Sequence, residues 1–275
     1  HRPSALAHPG RPGAGIHPKS RLIGIISATG LVAPNMQIEI WSDVVCPWCY
    51  IGKRRLEKAL GALSDSGAIR ADEVEIRYRS FQLDPAAPTT PTHTVAEWLG
   101  MKYGGGPEAG RQMIEQVDAV AAEEGLIFRQ LESQRVNTMD AHRLLHLAVD
   151  QGGPKLQGAL KEALLAAYFT RSQNVADHET LTVIATAAGL DPERVSQVLN
   201  SQEYADEVAA DISQAAAFGA NGVPFFVVDR KYGVSGAQSP EVFTQVLERA
   251  WAETHPVVEL VGGAEVCGPD GCTPT

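Results

Sequence analysis

The sequence predicts an α/β fold in which a strand–helix–strand frame is split by a large all-helical insertion. Three observations predict it. Ile38-Glu39-Ile40-Trp41 and Val74 to Arg79 alternate, are rich in β-formers, and flank a segment with helical spacing. Residues 94–217 contain no convincing strand and carry one helical pattern after another. A short β-branched and aromatic run, Phe225 to Val228, then returns to strand character.

Composition bounds the function classes. The 275 residues are 44% hydrophobic with a formal charge of −10, ordinary for one large domain or two small ones. The acidic balance argues against nucleic acid or an anionic membrane as the main partner. No apolar run reaches the length of a transmembrane helix. Four cysteines in two close pairs are too few to staple a chain of this size, so they read as working thiols in a cytoplasmic protein.

Residues 1–35 differ from the rest. His1 to Ser20 holds four prolines, three glycines and three histidines without apolar periodicity. Leu22 to Val32 is apolar but broken by Gly24, Ser27, Thr29 and Gly30, and Val32-Ala33-Pro34 makes a poor signal-cleavage site. We read 1–35 as a non-native or disordered extension, with Met36 as the natural beginning.

The first strand leads into Cys46-Pro47-Trp48-Cys49, and Tyr50, Ile51, Leu56, Ala59, Leu60 and Leu63 then recur at helical spacing. Pro47 suits a first helical turn, where its missing N–H has no partner in any case. Cys46 therefore caps the helix, with orphan N–H groups and the positive end of the macrodipole at its sulfur. That environment favours thiolate, and Cys-X-X-Cys pairs at helix starts can be lowered by about 1 to 5 pKa units. Cys46 reads as the attacking sulfur and Cys49 as the resolving one. Half of a zinc site is the competing reading, but zinc needs four ligands and the other pair lies far downstream, so no metal is expected.

Val74 to Arg79 completes a βαβ unit with parallel strands and a right-handed crossover. Prolines 85, 88 and 91 end this half of the frame, residues 36–92. The insertion, 93–217, shows helical patterns at Val95–Lys102, Glu108–Glu124, Thr138–Gln151, Lys155–Thr170, His178–Ala188, Pro192–Leu199 and Ser201–Ala217. Gly152-Gly153-Pro154, Asp177 and Asp191-Pro192 supply stop and start signals. The second half, 218–254, holds Gly222-Val223-Pro224, a hairpin turning near Asp229-Arg230, and a helix opened by Ser239-Pro240. A tail, 255–275, carries Cys267-Gly-Pro-Asp-Gly-Cys272, whose turn chemistry lets the two sulfurs approach.

Four stretches carry a family resemblance: Ser42 to Gly52 around CPWC, Phe81-Gln82-Leu83-Asp84-Pro85, Asn137-Thr138 with Ala141-His142-Arg143-Leu144, and Gly222 to Phe226. With the element order they resemble a DsbA-like thioredoxin fold over about Met36 to Trp251. They resemble its FrnE-like branch most, the group that includes 2-hydroxychromene-2-carboxylate isomerases. The resemblance implies that Pro224 is cis and faces the CPWC turn. Val223 would then offer N–H and C=O to an extended substrate, as in strand addition.

The implied activity is thiol–disulfide exchange on protein or small-molecule disulfides, with glutathione a candidate small thiol and no other cofactor. The Pro-Trp dipeptide, similar to a glutaredoxin loop, suggests a potential of about −230 to −180 mV. Glu39, on the strand beneath the helix, is a candidate acceptor for the Cys49 proton, against a plain solvent-facing role. Asp43 reads as a turn residue, since its charge would oppose a Cys46 thiolate. Asn137 and His142 are candidates to line a small-molecule groove. Cys267 and Cys272 read as a second redox pair that exchanges with CPWC, with a passive clasp or half a metal site as alternatives. The rival class is a glutathione-dependent isomerase or kappa-class transferase, in which the resemblance implies serine at the position of Cys46. A scaffold or chaperone using the helical cleft is a non-enzymatic rival. His142, His146 and Asp150 share a helical face, which we read as packing or solvation rather than a metal site. Oligomeric state is not legible in the sequence.

Overall fold

The computed structural model describes residues 36–255 and the backbone of 267–268 and 271–272. The extension expected at 1–35 lies outside the described residues. β1 (Met36–Ser42) and β2 (Val74–Ser80) pair in parallel from Met36 opposite Val74 to Ser42 opposite Ser80, with α1 (Pro47–Asp65) between them. This is the βαβ unit that the alternation predicts.

The insertion contains α2 (Val95–Tyr103), α3 (Gly106–Glu123), α4 (Met139–Phe169), α5 (His178–Ala188), α6 (Pro192–Leu199) and α7 (Ala205–Ala217). Thr94 opens α2 with a capping box, its Oγ1 accepting from Glu97 N at 3.2 Å while Glu97 Oε2 accepts from Thr94 N at 2.8 Å. Asp177 and Asp191 cap α5 and α6 in the same way from one side. The two patterns read on either side of Gly152-Gly153-Pro154 run on as one kinked α4. Gly152 and Gly153 leave helical geometry there, and Gly153 takes φ 67°, which suits a residue without Cβ. α7 begins at Ala205 rather than the expected Ser201. Buried Arg143 explains the delay: it donates to the carbonyls of Ser201 (2.8 Å), Glu203 (2.7 Å) and Val198, holding that stretch as a turn.

The frame resumes with β3 (Phe225–Val228), antiparallel to β1, and β4 (Tyr232–Ser235), antiparallel to β3; the sheet order is β2-β1-β3-β4. α8 (Pro240–Thr254) closes the frame. On one sheet face Ile38, Ile40 and Phe226 pack with Leu56 and Leu63 of α1 and Leu247 of α8. On the other, Trp41, Phe225 and Val227 meet Ala215 of α7. Both faces of β1 are thus covered, and its alternation separates two buried environments rather than core from water.

The insertion is fixed to the frame at the β2 edge. Gln157 of α4 accepts from Tyr78 N and donates to Tyr78 O, each at 2.9 Å, and Asp211 of α7 accepts from Ser80 N at 2.8 Å. These side chains satisfy backbone groups that an edge strand otherwise leaves open. The insertion core, built on Leu144, Leu160 and Phe169, also takes in Val44, Tyr50 and Ile51. The CPWC turn therefore sits where frame and insertion meet. In the tail, β5 (Cys267–Gly268) and β6 (Gly271–Cys272) form a two-stranded ladder.

Candidate active site

β1 delivers the chain to Asp43 and Val44, both buried, and the turn ends on Cys46 in extended backbone (φ −92°, ψ 114°) with Pro47 opening α1. This is the helix start read from the sequence. Cys46 and Cys49 are each only 3% exposed, while Trp48 between them is 40% exposed. The Cys46 thiol donates to the Val223 carbonyl at 3.6 Å, and the Val223–Pro224 peptide bond is cis. Gly52, one turn beyond Cys49, permits this approach: a Cβ there would lie 3.1 Å from Pro224 Cγ and 3.2 Å from Phe226 Cζ.

The Cys46 thiol hydrogen faces both the Val223 carbonyl and the Cys49 sulfur. The hydrogen bond to Cys49, then burial and the Cys49 charge, push Cys46 well above the usual thiol range, and the Asp43 carboxylate adds to this. Burial would raise Cys49 too, but the Cys46 hydrogen bond, the Lys161 ammonium and the Ser42 hydroxyl outweigh it and lower Cys49. In the unengaged dithiol the inner sulfur is therefore the more acidic of the two. The helix N-terminus alone predicts a Cys46 thiolate; burial and the hydrogen bond between the two thiols work against it.

The profile of the DSBA-like thioredoxin domain matches residues 37–248. This chain belongs to the DsbA-like thioredoxin family. A probable DsbA oxidoreductase from Streptomyces coelicolor is 47% identical, with 87% of this chain and 99% of that one covered and a TM-score of 0.73. A 2-hydroxychromene-2-carboxylate isomerase shares the fold at 14% identity over 79% of this chain and 97% of that one, TM-score 0.57. The Bacillus subtilis protein YwbO is 23% identical, covering 78% of this chain and 96% of its own length. The DsbA-like thioredoxin fold with a helical insertion, expected from the resemblance, is thus shown.

Within this DsbA-like chain the remaining candidate residues go to unexpected places. Glu39 does not lie under α1. It points to the opposite sheet face, 2% exposed, with Arg79 Nη2 at 2.5 Å and Arg230 Nη1 at 3.3 Å. The period-2 geometry that turns Ile38 and Ile40 toward α1 turns Glu39 away, so the expected proton route from Cys49 has no geometric basis. Nor is Glu39 solvent-facing, the alternative reading.

Asn137 and His142 are likewise engaged in packing contacts. Asn137 Nδ2 donates to the carbonyls of Pro85 and Ala87 at 3.0 Å each, and its Oδ1 accepts from Met139 N at 2.9 Å. It brackets the loop after β2 and starts α4. His142 is fully buried, with Nε2 3.1 Å from Asp43 Oδ1. Asp43, read as a turn residue, is in fact a buried charge hub. A groove of about 220 Å³ does open beside Pro47, toward α2, walled by Val45, Leu83, Trp98, Leu99 and Tyr168.

His146 Nε2 meets Ser80 Oγ at 3.1 Å and Asp211 Oδ2 at 3.2 Å, while Asp150 accepts from the Tyr204 hydroxyl at 2.6 Å, so that helical face packs against neighbours. Sequence reasoning missed Lys161, which lies in the site with Nζ 3.1 Å from the Ser42 carbonyl. Its signal was a lysine on the stripe shared with Gln157, Leu164 and Tyr168, where amphipathic spacing calls for apolar residues.

Proposed function

We propose that this DsbA-like chain is a thiol–disulfide oxidoreductase working through Cys46 and Cys49. The carrying observation is the buried dithiol at a helix start whose outer sulfur touches the Val223 carbonyl beside Pro224. When a substrate disulfide reaches this notch, the Cys46 proton passes to an ionised Cys49 and Cys46 attacks as thiolate. A bond forms between Cys46 Sγ and one substrate sulfur, and the other leaves with the electron pair. Cys49 then loses its proton and attacks Cys46 Sγ, releasing the second substrate sulfur. The balance is one dithiol carrying one proton plus a disulfide, giving the enzyme disulfide, one thiol and one thiolate. Substrate oxidation runs the same steps backward.

Disulfide-bearing proteins and small thiols such as glutathione are the proposed partners. Val223 supports the former, because its backbone can pair with an extended peptide. Cys267 and Cys272 stand opposite each other across the β5–β6 ladder, which supports their reading as a second pair that passes electrons to or from CPWC. Among the described residues no helix is long and apolar enough to cross a membrane; a cytoplasmic location is proposed from the cysteine usage.

Insulin reduction with dithiothreitol or glutathione as donor tests the assignment. Wild type should accelerate precipitation of the reduced chains and Cys46→Ser should abolish the acceleration. Activity that survives Cys46→Ser would count against the assignment.

A further inference from the structure

Lys161 has no exposed surface, yet it carries an ionisable amine. Other buried bases have carboxylates. Lys53 lies 2.5 Å from Glu57 and 2.6 Å from Glu162, and Arg143 lies 2.7 Å from Asp140. Lys161 Nζ has the Ser42 carbonyl at 3.1 Å and the Tyr78 ring centroid at 5.7 Å, and among the described residues no carboxylate within ion-pair distance. A buried ammonium without a counter-charge is costly, and an apolar side chain of equal size would fill the space without that cost. Something anionic must offset it. The groups facing Lys161 are Cys49 and Lys53 from α1, Asp43 and Cys46 from the turn, His142 from its own helix and Tyr78 from β2. Asp43 is already held by His142, Val44 and Leu83. The Cys49 sulfur remains.

We propose that Lys161 is the positioning cation of the resolving thiol: anchored on the Ser42 carbonyl, its ammonium holds Cys49 ionised so that Cys49 can break the mixed disulfide. The inference rests on the CPWC reading and adds a residue from the helical insertion to it. In the mixed disulfide Cys46 Sγ is bonded to substrate and no longer donates to Cys49. Lys161 and the Ser42 hydroxyl are then the groups that favour the Cys49 thiolate. The proton leaves Cys49 for solvent and is taken up by the first product thiolate. The Cys49 electron pair forms the Sγ–Sγ bond, and the pair of the Cys46–substrate bond departs on the substrate sulfur. Burial lowers the Lys161 amine to about 8, against the opposing pull of the Cys49, Asp43 and Cys46 charges. The cation is therefore present at neutral pH and lost in mild alkali.

Two measurements test this. In a Cys46→Ala, Cys267→Ser, Cys272→Ser background Cys49 is the sole thiol, and its ionisation is read from ultraviolet thiolate absorbance. Lys161→Met should raise its pKa by about one unit or more, a roughly tenfold loss of thiolate at fixed pH, and Lys161→Arg should restore most of it. An unchanged Cys49 titration in Lys161→Met overturns the proposal. In wild type, with the tail cysteines replaced by serine, stopped-flow reaction with an aromatic disulfide releases one chromophoric thiol on attack and a second on resolution. The resolution phase should lose rate, relative to the attack phase, as pH passes about 8. A constant ratio of the two phases through that pH overturns the proposal even if Lys161→Met fails to fold. Insulin reduction by wild type stands apart from both: its absence would sink the oxidoreductase reading itself, whereas a Cys49 titration indifferent to position 161 sinks only the inference.

Discussion

Asp43 and His142 meet in the interior beneath the CPWC turn, Oδ1 to Nε2 at 3.1 Å. The same carboxylate accepts the N–H groups of Val44 and Leu83, each at 2.8 Å. One side chain thus ties the active-site turn to the loop that follows β2. Burial opposes the Asp43 charge, but the His142 hydrogen bond and the backbone donor hold its pKa below the ordinary carboxylate value. Burial keeps His142 below its ordinary value, against the pull of Asp43. A neutral imidazole with its proton on Nε2 fits this arrangement, since Nδ1 has no partner among the described residues.

Removing the Asp43 charge should make the attacking thiol more acidic, because that charge is among the causes that raise Cys46. Asp43→Asn retains an acceptor for Val44 while discarding the charge. The pH dependence of Cys46 alkylation should move to lower pH, and the variant should lose about 1 to 3 kcal/mol of stability from its disrupted buried hydrogen bonds. An alkylation profile that stays in place would show that Asp43 only shapes the turn.

Acid should destabilise the protein in two stages, both of the same sign. His142 has a folded pKa below its unfolded value, so the unfolded chain binds the proton first and stability falls as pH drops below about 6.5. Glu162, paired with Lys53 and Arg54, is depressed to about 2 from 4.5. Its contribution is present above the unfolded value and lost as pH falls toward 2. The Glu162 side chain is 34% exposed, so screening reduces its share to about 1 to 2 kcal/mol. Urea midpoints measured across pH should show both losses, and Glu162→Gln should flatten the second.

The helical insertion should be fastened to the sheet largely through position 157. Gln157→Leu fills similar space but leaves the buried N–H and C=O of Tyr78 unpaired, at a cost of about 2 to 4 kcal/mol. Hydrogen exchange should locate the loosening along β2. Protection at Tyr78 equal to wild type would show that water replaces the side chain.

Contact between α1 and the Pro224 loop should depend on a missing Cβ. Gly52→Val places atoms where Pro224, Phe226 and Ala237 already sit, which overpacks the junction by about 1 to 3 kcal/mol. The separation of Cys46 from Val223 should grow, and insulin reduction should fall further than stability does. Unimpaired turnover would argue that this close approach is dispensable.

The secondary-structure elements and their ends are written locally in the chain. Alternation in Met36–Ser42 and Val74–Ser80, Pro47 at a helix start, Gly152-Gly153-Pro154 at the α4 kink and Asp177 and Asp191 as caps are local signals, fixed by backbone geometry and nearby hydrogen bonds. They were legible because each acts within a few residues. The cysteine pair was legible for the same reason, since spacing and helix start are local. Which charges serve that pair depends on long-range packing. Glu39 turned to Arg79 because β1 is covered on both faces, and Asp43 became a buried anion because α4 brings His142 to it from 99 residues away. Lys161 joined the site from 119 residues beyond Ser42. A buried charge takes its state from the partners and the dielectric around it, and those are set by which helices close over the turn.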